Sequence, residues 1–288
     1  MEKINRFCID CYHKRPNKRK ALDLIFNKNA SVIETIDKPF IYLTLGADQL
    51  LDVLNLMEVC YFEDIEKIFS YEEKPHKVKI AKDCQIVKIF NKWHKDEDTR
   101  NKIEIIEKHF PNDLKNFIKP YTKKPKIFFF DDTGWFDEKD ANMLCTLIKS
   151  EIINKNDIFI ITSSLGNIGW SPIKGKAIAQ YRRYHYGKIE KIVENIVKDN
   201  IVDLYVDYAL ILYNDFDART NSSKRQMTAK HLGKVKYRDE TRMTMGVWSY
   251  QFIEGSERIT LPNPFTDTYM HGSELNIFKG MKIKNESK

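Results

Sequence analysis

The chain has 288 residues, of which 42% are hydrophobic and 12% aromatic, enough apolar material for one large α/β domain or two small ones. Its 48 Lys and Arg outweigh 41 Asp and Glu to give a net charge of +7, a mild excess that favours a polyanionic partner and equally reflects a Lys-rich composition. No apolar run approaches the roughly 20 residues of a membrane span, the opening MEKINRFCID lacks the apolar centre of a signal peptide, and five scattered cysteines suit no disulfide framework; a reduced, cytosolic protein without membrane attachment is expected.

Residues 1–37 read as a basic helical arm, with HKRPNKRK at His13 to Lys20 followed by the helical pattern ALDLIFNK. Cys8, Cys11 and His13 would begin a zinc site, but such a site wants four ligands and the chain offers no second ligand pair, so no metal is expected. PFIYLTLG, Pro39 to Gly46, is a buried strand that breaks at glycine, and Leu50, Leu51, Leu54 and Met57 then recur at helical spacing. The run Val59, Cys60, Tyr61, Phe62 predicts a second strand over 58–62 that ends in Glu63 and Asp64. KVKIAKDC predicts a third, over 77–82, ending at Asp83. Ile103, Ile105, Ile106 and Phe110 suggest an amphipathic helix within the charged stretch 91–121.

KIFFFDDTGWFDE, Lys126 to Glu138, drives four apolar residues straight into two carboxylates, a glycine and two aromatics. A buried strand over 126–131 that ends this way delivers side chains to the carboxyl edge of a parallel sheet, where ligands bind. Met143, Leu144, Leu147, Ile148 and Ile152 mark the following helix, and DIFIITSSLG supplies a strand over 157–163. A loop with Gly169, Pro172 and Gly175 leads to a long helical segment, Lys176 to Lys198, and strand-like runs at 206–213 and 241–252 close the domain as an antiparallel pair. Cys60, Cys84 and Cys145 read as small buried hydrophobes, and the tail after Gly280 as frayed.

The alternation predicts an α/β fold: a Rossmann-like, mostly parallel sheet of about seven strands with helices on both faces and a C-terminal antiparallel hairpin. It spans 38–255, with 256–288 a C-terminal extension. In this order of elements the chain resembles the class I S-adenosylmethionine-dependent methyltransferases over Lys38 to Gly255. The acidic, glycine-containing DDTGWF and the segment YRDETRM, Tyr237 to Met243, are similar to the three-Cys-motif partner proteins, a methyltransferase-like family found near defence genes and mobile elements.

The resemblance implies S-adenosylmethionine as cofactor. The turn LTLGADQLLD, with Gly46 and Asp48, would hold its amino-acid part. Glu63, 17 positions after Gly46, or the adjacent Asp64 would hold the ribose, and Asp83 and Cys84 would lie near the adenine. At the end of the fourth strand, Asp131 or Asp132 would accept a hydrogen bond from a target amino group while Trp135 or Phe136 stacks on a base. The plainer alternatives are an N-cap role for Asp131 and Asp132, a turn role for Gly46, and a solvated helix start for Glu63 and Asp64.

QYRRYHYGK, Gln180 to Lys188, interleaves basic and aromatic residues. Arg182, Arg183, Tyr184 and Lys188 are therefore nucleic-acid-binding candidates, with a solvated helix face as the alternative. Three other functions compete. FFFDD suits a nucleotide hydrolase, but no GxxxxGK[ST] phosphate loop accompanies it. Asp131, Asp132 and Glu138 with Lys139 would serve a metal-dependent nuclease. The single glycine at 46 and the lack of prolines after Asp131 suit a catalytically degenerate binding or regulatory subunit with a protein partner. The oligomeric state is not legible.

Overall fold

The computed structural model describes residues 16–45, 50–83, 87, 102–111, 113–131, 136–164, 201–219, 226–238, 244–255 and 268–271. In chain order the elements are α1 (Pro16–Glu34), β1 (Phe40–Thr44), α2 (Leu51–Leu56), β2 (Ile65–Tyr71), α3 (Pro75–Asp83), β3 (Ile103–Ile106), α4 (Leu114–Ile118), β4 (Lys126–Asp131) and α5 (Glu138–Lys149). They continue with β5 (Ile158–Ser164), α6 (Ile201–Arg219), β6 (Met227–Arg238), β7 (Met245–Glu254) and β8 (Thr268–His271).

The strands form one eight-stranded sheet in the order β3-β2-β1-β4-β5-β7-β6-β8. The five strands from β3 to β5 run parallel, β7 is antiparallel to both β5 and β6, and β8 pairs parallel with β6. The Rossmann-like sheet and its C-terminal antiparallel hairpin are as expected. β8 adds an eighth strand from within the stretch read as an extension.

Each face of the sheet carries a core, because successive strand side chains alternate. On one face Ile41, Leu43, Phe128, Phe130, Phe159 and Ile161 pack under α4, α5 and α6. On the other, Phe40, Tyr42, Ile127, Phe129, Ile158 and Ile160 pack under α1 and α2. The basic helix α1 belongs to this second core: Ala21, Leu22, Ile25 and Phe26 are buried, and the helix lies across β6 and β7. Ser249 of β7 donates a 3.3 Å hydrogen bond to Asn29 of α1.

Several expected strands are corrected. Residues 58–62 form the turn after α2 and enter a short 3-10 segment, Phe62–Asp64, in which Phe62 is buried and Tyr61 is 69% exposed. The second strand is the run that follows, IEKIFSY. Residues 77–82 are helical because the residues that become buried are Val78 and Ala81, three apart, while Ile80 is 40% exposed; the helical period prevails over the apparent alternation. Likewise 206–213 lies inside α6, where Val202, Tyr205, Val206, Ala209 and Tyr213 bury one face. The hairpin partner of β7 is β6. Ile103 and Ile105 belong to β3, not to an amphipathic helix.

At the junction of α1 and α2, the Asn55 amide donates to the Asp23 carboxylate. Burial pushes the Asp23 carboxyl up to about 6, the Glu58 charge adds to the rise, and Arg19 and Asn55 oppose it. A carboxyl raised in the folded state binds protons more tightly there than in the unfolded chain, so its contribution falls as pH rises from about 4 to about 6. Asp23→Asn should therefore gain stability relative to wild type between pH 4 and pH 7, read as the difference in urea midpoints. An unchanged difference would show that Asp23 titrates alike in both states.

Candidate functional site

The chain reverses its direction of travel across the sheet between β1 and β4: β2 and β3 extend one way, β4 and β5 the other. Open α/β sheets bind ligands at such a point, outside the carboxyl ends of the strands. Asp131, the last residue of β4, lies at this edge, paired with Thr162 of β5.

The Asp131 carboxylate is held by a cation from the second core. Lys18, in the first turn of α1, donates to Asp131 Oδ1 at 2.6 Å and Oδ2 at 2.5 Å. The two side chains retain 13% and 9% of their exposure, so the pair is largely withdrawn from water. Asn17 beside it donates to the Arg238 carbonyl at 2.7 Å, tying the same turn of α1 to the end of β6.

Below β1's carboxyl end lies a second acid. Asp52, in the first turn of α2, is 4% exposed and accepts a 2.7 Å hydrogen bond from the buried Tyr42 hydroxyl. Burial pushes the Asp52 carboxyl up, against the hydrogen bond from Tyr42, and the Asp131 charge adds to the rise. The same surroundings push the Tyr42 hydroxyl well above its ordinary value. The Asp131 charge thus acts on Asp52 from the end of β4, where the Lys18 ammonium is bound to it.

Glu72 follows β2 directly. Its backbone N–H donates to the Ile106 carbonyl at 3.0 Å, and its carboxylate accepts from the Lys74 N–H at 3.0 Å. Lys77 lies 3.9 Å from the other oxygen, and the side chain keeps 11% of its exposure. It is the acid at the end of the second strand.

The expected residues divide accordingly. Glu63 and Asp64 precede β2 and stand at its amino end, where Asp64 pairs with Lys38 at 2.6 Å; they are on the opposite edge from Asp131. Asp83 is the exposed last residue of α3 rather than a strand-end acid. Gly46, Asp48, Cys84, Asp132, Trp135, Arg182, Arg183, Tyr184 and Lys188 lie outside the described residues, as do Cys8, Cys11 and His13. Phe136 is buried in the core beneath α5 and donates its N–H to Ser163 at 3.0 Å. The N-cap of α5 is Asp137, whose carboxylate accepts from the Lys139 N–H at 2.7 Å while Asp140 accepts from the Asp137 N–H, so capping does not account for Asp131. Cys145 is buried and Cys60 half-buried, with burial raising the Cys60 thiol to about 12. Sequence reasoning missed Glu72 and Lys18; the acid pair closing KIFSYEE, Lys67 to Glu73, was the available signal for the first.

A polar cleft of about 570 Å³ opens on the other rim, among Thr35, Asp37, Lys123, Asn154 and Gln251. Beneath it the fully buried Lys126 ammonium lies 3.4 Å from Asp157 and donates to the Thr122 and Lys124 carbonyls. Burial pushes the Lys126 ammonium down and the Asp157 carboxyl up. Asp157 also accepts the Lys126 and Asn154 N–H groups at 2.8 Å each, and so ties the starts of β4 and β5 together. Among the described residues, no three His, Cys, Asp or Glu are grouped to hold a metal ion, and no helix is long and apolar enough to cross a membrane.

No family model and no curated protein matches this chain. Among solved structures it is similar to an rRNA methylase from Streptococcus thermophilus, at 11% identity and a TM-score of 0.41, over 81% of this chain and 97% of that one. It is similar to an O-methyltransferase from Bacillus cereus in complex with SAH, at 8% identity and a TM-score of 0.39, over 81% and 80%. A third likeness is to Trm5b from Pyrococcus abyssi, at 9% identity and a TM-score of 0.37; it covers 79% of this chain but 48% of that one. Likenesses this distant assign no activity here.

Proposed function

We propose that this chain is an S-adenosylmethionine-dependent methyltransferase that acts on an amino nitrogen, with nucleic acid as the acceptor class. The observation that carries the reading is the Asp131 carboxylate, which stands at the end of β4 beside β1 and grips an ammonium nitrogen with both oxygens.

The described part of that rim suits the cofactor chemically. A diol needs a carboxylate acceptor at the end of the second strand, and Glu72 stands there with 11% of its side-chain exposure. When bound, S-adenosylmethionine supplies an activated methyl group on a sulfonium. The chain's own part is positioning and proton acceptance: Asp131 would orient the acceptor N–H groups and take up the proton released. Nucleic acid is favoured by the net charge of +7 and by the basic and aromatic stretch Gln180 to Lys188.

Titrating the full chain with S-adenosylmethionine in a calorimeter tests the reading. Saturable heat is expected, with Glu72→Ala weakening binding by about tenfold, or ~1.4 kcal/mol, and Glu63→Ala leaving it unchanged. No heat with wild-type protein would favour the degenerate binding subunit, a reading supported by the Lys18 ammonium already seated on Asp131. That ammonium also opposes a divalent cation at Asp131, which weighs against the nuclease.

A further inference from the structure

Lys18 is poorly explained as a surface ion pair. It comes from a helix that lies mainly across β6 and β7, and it is 113 positions distant in sequence from Asp131, yet its ammonium meets both oxygens of the one described acid at the end of β4. We propose that Lys18 is a built-in occupant of the acceptor position, an intramolecular amine that an incoming amino group must displace. The inference rests on the amino-acceptor reading of Asp131 and adds to it a regulated entrance.

Three observations converge on it. The place is the reversal point of the sheet, where a ligand is expected. The occupant is an N–H donor, and a carboxylate that has exchanged water for two short charge-assisted hydrogen bonds recognises an amine better than a hydroxyl. The locus also needs its donors, because a carboxylate left with 9% of its exposure is unsatisfied once Lys18 withdraws. An acceptor amine restores the N–H donors that the departing lysine removes. Apparent acceptor affinity is thereby reduced by the fraction of molecules in which Lys18 is seated, which keeps the site closed to weak amines.

The probe is n-propylammonium chloride, which matches the part of the Lys18 side chain lost in Lys18→Ala. Binding is read on the full chain by calorimetry and by the shift of the melting temperature. Lys18→Ala should bind the probe saturably and at least about tenfold more tightly than wild type. Lys18→Met, which keeps the stem, should bind it no better than wild type, and Asp131→Asn added to Lys18→Ala should abolish binding. Absence of a saturable response in folded Lys18→Ala, a response to trimethylsulfonium in place of propylammonium, or a response that survives Asp131→Asn would each overturn the proposal.

A measurement on unmutated protein covers the case in which Lys18→Ala does not fold. Reductive methylation followed by peptide mass spectrometry should modify Lys18 more slowly than the exposed Lys20 of the same helix, and propylammonium should raise the ratio of Lys18 to Lys20 modification, a ratio independent of the aldehyde that the probe itself consumes. Equal rates, or no effect of the probe, overturn the proposal. The S-adenosylmethionine titration reads the methyltransferase assignment separately. Silence there with propylammonium binding intact strikes that assignment, and the reverse strikes the occupant alone.

Discussion

Asp157→Ala should lower the folding free energy by about 3–5 kcal/mol, a large share of what a domain of this size possesses. The change removes the only carboxylate described beside a lysine that has no exposed surface. It also strips the acceptors from two backbone N–H groups, those of Lys126 and Asn154, each left with a desolvation penalty of about 1–3 kcal/mol. The Thr122 and Lys124 carbonyls stay bound to the ammonium but carry no charge to balance it. Urea denaturation checks this, and the companion variant Lys126→Met separates the causes. Removing the charge as well should recover a large part of the loss in the double variant, because a buried pair replaced on both sides costs far less than one broken on one side. Equal losses in the single and double variants would mean that the N–H acceptors, not the ammonium, dominate.

Asp131→Asn should reduce methyl transfer by about 100-fold or more while leaving S-adenosylmethionine binding within a factor of about two. Asparagine keeps the shape and one acceptor oxygen, so the rim and Lys18 keep a partner; what disappears is the negative charge that, in the proposed function, would orient an amine and take its proton. Transfer of labelled methyl groups from S-adenosylmethionine to total cellular nucleic acid reads the first quantity and calorimetry the second. Unchanged transfer would remove Asp131 from the reacting position. Loss of both quantities together would place its role in holding the rim rather than in transfer.

The parts of this fold that were legible in the sequence are those where burial on both faces erases any pattern but apolarity. FIYLT, KIFFFD and IFIITSS are continuous runs with no competing helical stripe, and each became a central parallel strand. The misread parts are those where two periods fit the same letters. KVKIAK alternates as a strand would, but only packing decided that Val78 and Ala81 are buried and Ile80 is not. The interior of α6 is apolar enough to pass for a strand, because the helix buries most of its girth against α5 and β6. The candidate site divided in the same way. Asp131 announced itself by terminating a buried run, whereas Glu63 was chosen from a strand placed seven residues too early, and the shift carried the acid to the wrong edge. Lys18 had no local signature: a lysine in a basic stretch looks like solvent-facing charge until a fold brings it across to β4.

The seating of α1 across the closing hairpin bears on how the protein is made. Its ties to Arg238 and Ser249 bridge 221 and 220 positions, so the part of its apolar stripe that α2 does not cover waits until the ribosome has delivered β6 and β7. Contacts of such span are the slow ones to close, and a nascent chain stalled short of β7 leaves that stripe open to chaperones and to other chains.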